Sequence, residues 1–397
     1  MISDRAYSDE ASISRAETRP MHVGVIALAD IDYALDLANA LVDAGTRVSV
    51  YVSGRHAIRA MGDADQPVER LYQLGLLPRS VQVRLFHAPR MRDPRSIAVY
   101  RELAKAIRED GVDVVHPLVG SGELWLAVLT WLLRDLPVAS TMILPKPNVG
   151  QYPPGNVARV VNTLLAHGSD VVIVNGDDQI EMVQQMYRVP RQRIDHVRLG
   201  PRTTSARWST RQITEEAGTI LFFGRIARHK GLEYLVRAQS AITRAVPYAR
   251  IVIAGNGAEE MDRCQHLMED PSKFEVHEGF VSNEQLTELF QRASVVVLPY
   301  ITASTSGILM TAYVFGKPVV VTQVGSLPQY VGDGETGLLV APADSDQLAT
   351  AIVKLLSNDA LRHKMGESAR HWAEREQEAI ARQSLDAYKK AISIHHK

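Results

Sequence analysis

The chain holds a single cysteine, Cys264, in 397 residues. That excludes an internal disulfide framework and any zinc site built from several cysteines, and it fits a reducing compartment. Aromatic side chains are sparse at 6%, too few for platforms that stack single-stranded nucleic acid. An excess of one charge is also missing. Lys+Arg 44 against Asp+Glu 45 leaves a formal net charge of -1, so no nucleic-acid partner is expected. Long apolar runs are absent too. The longest, Leu124 to Leu133, is closed by Glu123 and Arg134, far short of the roughly twenty residues a membrane span needs. It reads as a buried helix. Residues 1–20 are polar and of mixed charge, without the apolar segment of a secretory signal, and read as a disordered lead-in. A cytoplasmic location is expected.

What is present is an ordinary globular composition, 46% hydrophobic, arranged as strand and helix in alternation, twice over. The first series has strands at His22 to Ala27, Val48 to Val52, Val81 to Phe86, Val112 to His116, Val138 to Met142 and Val171 to Val174. Helical spacing fills Tyr33 to Ala44, Ile97 to Arg108 and Val157 to Ala166. Residues 201–218 are rich in Thr, Ser and charge and read as a linker. The second series has strands at Thr219 to Phe223, Ile251 to Ala254, Phe274 to His277, Val295 to Leu298 and Pro318 to Thr322. Its helices are Leu232 to Val246, Asn283 to Arg292, Gly307 to Phe315 and Ser345 to Leu356. Such alternation implies α/β architecture with parallel, doubly wound sheets. Two Rossmann-like domains facing across a cleft are expected, at residues 21–200 and 219–375. A C-terminal helix at 376–397 would pack back on the first domain.

The most telling segment is Phe223-Gly224-Arg225-Ile226-Ala227-Arg228-His229-Lys230-Gly231. It holds an arginine and a lysine on one glycine-bounded turn at the carboxyl end of a strand, where open α/β sheets bind ligands. The planar donor fork of arginine and the compact charge of lysine suit a diphosphate; a basic, solvated loop is the plainer reading. Downstream, Ser304-Thr305-Ser306-Gly307 precedes a helix. A helix N-terminus offers free amides to an anion, and the same residues make a simple cap.

These segments, with Ile253-Ala254-Gly255-Asn256-Gly257, Gly279-Phe280-Val281, Ala312 to Val320 and Gly334 to Val340, resemble the retaining glycosyltransferases of the sucrose-synthase and glycogen-synthase type group (family 4), of GT-B fold. Asp113-Val114-Val115-His116 and Ser169 to Asn175 carry a fainter likeness in the first half. The resemblance implies that Arg225 and Lys230 hold the diphosphate of a nucleotide sugar. It implies donor contacts at Gly224, Ser304, Thr305, Ser306, Gly307, Ile308 and Thr311, and a main-chain contact to the base at Val281. It implies transfer of a hexosyl unit, with retention, to a glycan, lipid-linked or small-molecule acceptor. No cofactor beyond the nucleotide-sugar co-substrate and no metal are expected. The same resemblance admits a second reading, a non-catalytic GT-B subunit that binds a partner transferase or glycan.

The chain departs from the family pattern at two places. The paired glutamates ahead of the Gly-x-Pro-Val turn fall on Ala303 and Thr311. Thr311 would keep one hydroxyl for a ribose, and Ala303 offers no polar side chain. Three residues are candidates on the sugar or acceptor side. Asp30 follows the first strand. His116 ends a strand as a substrate contact or a satisfied structural histidine. Glu123 caps a helix or meets the acceptor. The Asp-x-Asp pairs Asp30/Asp32, Asp63/Asp65 and Asp344/Asp346 are metal motifs elsewhere; two of them fit helix caps better. Gly255-Asn256-Gly257 lacks the third glycine of a dinucleotide fingerprint and reads as a turn. Between Gly54 and Tyr100 stand eight arginines, no lysine and four acids. With Leu76-Leu77 and Leu85-Phe86 interleaved, this is either a solvated face or a peripheral contact with anionic lipid at the inner face of the membrane.

Overall fold

The computed structural model describes residues 19–28, 30–54, 66–87, 93, 95–120, 123–145 and 155–397. Most of the lead-in, the Asp63/Asp65 pair and Arg55, Arg59, Arg90 and Arg92 lie outside them.

The first lobe is a seven-stranded parallel sheet in the order β3-β2-β1-β4-β5-β6-β7. Its elements are β1 (His22–Ala27), α1 (Ile31–Asp43), β2 (Arg47–Ser53), α2 (Pro67–Gln73), β3 (Gln82–Phe86), α3 (Ser96–Glu109) and β4 (Val114–Val119). They continue through α4 (Leu124–Leu132), β5 (Ala139–Met142), α5 (Gly155–Gly168), β6 (Val171–Val174), α6 (Asp177–Tyr187) and β7 (Ile194–His196). The second lobe orders six parallel strands as β10-β9-β8-β11-β12-β13. It comprises β8 (Thr219–Phe223), α7 (Leu232–Ala245), β9 (Arg250–Gly255), α8 (Ala258–Gln265), β10 (Phe274–Glu278), α9 (Asn283–Arg292) and β11 (Val295–Leu298). Then come α10 (Gly307–Val314), β12 (Val319–Thr322), β13 (Gly337–Val340), α11 (Ser345–Leu356) and α12 (Asp359–His395). Strands buried on both faces need continuous apolar runs, and β6, β11 and β12 are buried at every residue.

The carboxyl ends of the two sheets face each other. Leu199 N and the Asn175 carbonyl at the end of β6 both bond to Tyr330, in the turn after β12. Ser326 donates to Asp178, and Arg70 of α2 pairs with Glu284 of α9 at 2.8 Å.

Residues 201–218 are packed, not an open linker. Thr203–Ala206 form a 3-10 turn, Thr204 is fully buried and Trp208 is 3% exposed. The cause is polar pinning from both lobes. Asp36 of α1 accepts from Thr203 Oγ1 and Thr204 N at 2.8 Å each, and Thr287 of α9 donates to the Ser205 carbonyl at 2.8 Å. Glu215 pairs with Lys317 at 3.0 Å and Arg362 at 3.2 Å.

α12 runs unbroken for 37 residues, so the chain has no boundary at residue 375. It leaves the second lobe and lies across the first. Small residues (Ala373, Ala381, Ala387, Ala391) on its buried side permit close approach to α1 and to β4, β5 and β6. Arg198 pairs with Glu376 at 3.0 Å, and Lys390 with Asp195. His395 reaches Asp170 at 3.3 Å, so the docking extends to the last turn of the helix.

His116 is the centre of that docking. β4 continues past it to Val119, placing it mid-strand at 1% exposure and not at a cleft end. Its Nδ1 lies 2.6 Å from the Tyr388 hydroxyl of α12 and its Nε2 2.6 Å from Thr141 Oγ1. Both nitrogens are occupied, so His116 is a structural histidine and not a substrate contact. Burial pushes its pKa down to about 3, against about 6.5 in an unfolded chain. The unfolded state then takes up a proton that the fold refuses. Stability is lost as pH falls from about 6.5 towards 3, by about 1.4 kcal/mol per pH unit. His116→Gln should flatten this acid limb: between about pH 6.5 and 4.5 the parent's urea midpoint drops more steeply than the variant's. Equal slopes would show that His116 is not the group responsible.

Candidate active site in the cleft

Strand order reverses between β8 and β11, and the crevice beyond such a switch point is where open sheets take ligands. Two loops meet there. After β8 the chain turns through Gly224 at φ +112. Gly224 N donates to the Ala254 carbonyl and Ile226 N to the Asn256 carbonyl, both at 2.9 Å. Close approach requires glycine here: a Cβ on Gly255 would lie 1.8 Å from the Gly224 oxygen. Gly255-Asn256-Gly257 is therefore a turn that admits the neighbouring loop.

The Arg228–Lys230 turn rests against the end of β11. A Cβ on Gly231, at φ +64, would fall 1.9 Å from the Pro299 carbonyl, and Ile301 N donates to the His229 carbonyl at 2.8 Å. Lys230 Nζ stands 3.7 Å from the centroid of the Tyr300 ring. The Tyr300 hydroxyl is 3.3 Å from Ser306 Oγ, and Ser306 Oγ caps α10 by accepting from Leu309 N. Lysine, ring, cap and helix N-terminus thus form one unit. Ser306 is a helix cap that also touches the ring on which Lys230 rests. Gly224 packs beside Ile308, where an added Cβ would lie 3.6 Å from its Cγ1. Ser304 and Thr305 are half-buried on the approach to α10. Burial, then the cations of Lys230 and Arg225, hold His229 below the ordinary imidazole range. Both charges therefore bear on the same spot.

Beside them opens a cavity of about 540 Å³ lined by Gly224, Arg225, Asn256, Gly257, Phe280 and Val281. Val281 is half-buried with its side chain against the main core. Phe280 is 56% exposed.

Thr311 does not present its hydroxyl to a ligand. It is 3% exposed and donates to the Gly307 carbonyl at 3.0 Å, one turn back in its own helix. Asp30 is likewise engaged. It caps α1 through Tyr33 N at 3.2 Å and pairs with Arg202 at 2.8 Å. Glu123 makes no side-chain cap bond to α4. Its Oε2 is buried without a hydrogen-bond partner among the described residues, and burial pushes its pKa up to about 7. Asp344 caps α11, and no cluster of three or more metal-ligating side chains occurs among the described residues.

The arginine-rich stretch does not form a free cationic face in its described part. Arg70, Arg79, Arg84 and Arg95 pair with Glu284, Glu69, Asp110 and Asp93, and Leu76 and Leu77 are buried.

Arg202, Tyr300 and His229 are the residues that sequence reasoning missed. Arg202 bridges the lobes: it stacks 4.7 Å over the Tyr33 ring, and a Cβ on Gly307 would lie 3.3 Å from its guanidinium. Asp32 and Asp36 flank it. Burial raises their pKa values to about 6 and about 7, against the pull of Arg202.

The sequence pattern of Glyco_trans_4_4, the glycosyl transferase 4-like domain, matches residues 31–200. That of Glycos_transf_1, Glycosyl transferases group 1, matches residues 207–372. The chain belongs to the group 1 glycosyltransferases. It is similar to the D-inositol 3-phosphate glycosyltransferase of Corynebacterium aurimucosum, with 29% identity over 71% of this chain and 72% of that one. The counterpart of that name in a Nocardioides species is 26% identical over 90% and 84%. Among solved structures, sucrose-phosphate synthase from Thermosynechococcus elongatus superposes with a TM-score of 0.70, at 21% identity over 94% of this chain and 99% of that chain. Anabaena HepE in complex with UDP-glucose gives 0.66, at 14% identity over 92% and 99%. The glycosyltransferase has the GT-B fold. Its second lobe carries both cations and every residue that lines the cavity beside them.

Proposed function

We propose that this glycosyltransferase moves a hexosyl unit from a nucleoside-diphosphate sugar to a glycan, lipid-linked or small-molecule acceptor with retention of configuration and without a metal ion. The convergence of Arg225, Lys230 and the α10 N-terminus at the β8/β11 switch point carries this reading. As the bond from the anomeric carbon to the diphosphate oxygen breaks, negative charge grows on the leaving group. Fixed cations and helix amides stabilise it more in the transition state than before it. The acceptor oxygen bonds the anomeric carbon on the face the diphosphate leaves. Its proton passes to a leaving phosphate oxygen, so no side-chain base is required.

The UDP-glucose bound by HepE supports a uridine donor as the first to try. The name D-inositol 3-phosphate glycosyltransferase, carried by several relatives, supports a phosphorylated polyol among the acceptors. The test is nucleotide release from UDP, GDP, ADP and dTDP sugars over an acceptor panel that includes inositol phosphate. No release from any donor by folded protein would overturn the proposal.

Two cations already supply the charge neutralisation that magnesium would provide. Activity should therefore persist in EDTA. A loss restored by magnesium or manganese would refute metal independence while leaving transfer standing.

A further inference from the structure

Tyr300 stands where the cationic turn meets the end of β11, and the backbone contacts on either side of it fix the register. Gly231 abuts the Pro299 carbonyl, and Ile301 N donates to the His229 carbonyl at 2.8 Å. Residue 300 is thereby set against residue 230. Tyr300 is pinned at both ends. Thr322 Oγ1 donates to its carbonyl at 2.6 Å, and its hydroxyl lies 3.3 Å from Ser306 Oγ. At 1% exposure, and with few side-chain torsions to spend, its ring has one place to be. Lysine has the opposite character, a point charge on a flexible stem. Lys230 is half-buried, and its Nζ lies 3.7 Å from the ring centroid. It makes no ion pair with a described residue. Packing in the core would explain an apolar side chain at position 300; it does not explain an ammonium set over the ring face.

We propose that Tyr300 is a positioning residue, whose ring holds the Lys230 ammonium in one place beside the α10 N-terminus without cancelling its charge. An aromatic face attracts a cation through its quadrupole and carries no net charge. A carboxylate in its place would hold the lysine and neutralise it, leaving less positive charge for a diphosphate. Held on the ring, the ammonium has lost its freedom before charge develops on a leaving group, and a preorganised cation stabilises that charge best. Through Ser306 the Tyr300 hydroxyl also ties the ring to the cap of α10, so lysine and helix amides keep a fixed spacing. That the spacing serves turnover rests on the transfer reaction proposed above; the hold of ring on ammonium does not.

The experiment combines kinetics with a spectroscopic reading of Lys230. Tyr300→Phe keeps the ring and should hold kcat within about threefold of the parent. Tyr300→Leu frees the lysine and should lower kcat about tenfold, with a smaller change in donor KM. Leucine also leaves a void, so a third variant separates attraction from packing. Replacing Tyr300 by trifluorophenylalanine keeps the shape of phenylalanine but strips its face of negative potential, and kcat should fall about fivefold below that of Tyr300→Phe. In the Lys230→Ala background neither of these last two changes should cost more than about twofold, since the residue acts through a group already gone. With isotope-labelled methyl groups on its lysines, which keep their charge, the protein should show a signal, absent from Lys230→Ala, that the ring moves upfield. That shift should survive in Tyr300→Phe and vanish in Tyr300→Leu, whether or not any donor is turned over. No nucleotide release by the parent would therefore sink the transfer reading and leave the methyl signal to decide Tyr300. An ordinary lysine position for that signal in the parent would overturn the inference. So would a fluorinated variant as active as Tyr300→Phe, or a Tyr300→Leu loss that persists in full without Lys230.

Discussion

Alanine at Arg225 or at Lys230 should lower transfer by about 100- to 1,000-fold and leave the fold intact. Removing one preorganised donor at developing charge costs about 2.7–4 kcal/mol, which is that factor in rate. Arg225 is exposed, and neither cation is tied to an acid among the described residues. Lys230 leans on the Tyr300 ring, a contact worth about 0.5–1 kcal/mol at an exposed site, so denaturation midpoints should barely move. The charge appears as the bond breaks, so kcat should fall more than donor affinity. Turnover within a few-fold of the parent for both variants would remove the diphosphate assignment.

Arg202→Met should be the most damaging single change to stability, costing about 3–5 kcal/mol at neutral pH, the range for breaking a buried ion pair. Arg202 is 6% exposed and is the cation that answers Asp30, Asp32 and Asp36. Methionine keeps an apolar stem of similar length and takes away the charge, the hydrogen bond to Asp30 and the guanidinium stack on Tyr33. The sign of the pH dependence follows from the raised carboxyls. Asp32 and Asp36 titrate in the fold at about 6 and about 7, above their unfolded value near 3.9. The folded state holds protons that the unfolded state has released. Their contribution therefore falls as pH rises from about 4 through 7. Without Arg202 both values climb further, so the variant should suffer most near pH 8 and recover part of the loss near pH 5. An unchanged denaturant midpoint at pH 8 would disprove the role.

Much of this molecule is legible in its sequence, for a physical reason. Parallel strands buried on both faces must be uninterrupted apolar runs, and the runs at Val171, Thr219 and Val295 give β6, β8 and β11 to the residue. β4 is different because Pro117 interrupts the run. The strand continues through it, since its ladder to β5 is carried at Val115, Leu118 and Val119 and leaves Pro117 out. The cationic turn is legible because Gly224 and Gly231 mark backbone that other residues adopt poorly. Arg202 is not, because a polar connection carries no periodicity and its acids lie far back, at Asp30 and Asp36. Thr311 could be placed by spacing, but the direction of its hydroxyl is decided by its own helix.

α12 has one further consequence, for biogenesis. His116 and Tyr388 are 272 residues apart, yet each completes the other's hydrogen bonding. The first sheet is synthesised early and stays uncovered along α1, β4 and β6 until that distant helix emerges from the ribosome. Nascent chains arrested before Tyr388 should therefore be sensitive to protease in the first lobe as well as in the second, and the two lobes should acquire resistance together. Cutting the protein between residues 200 and 219 would not release two independent folding units, because one of them would lack its own outer wall.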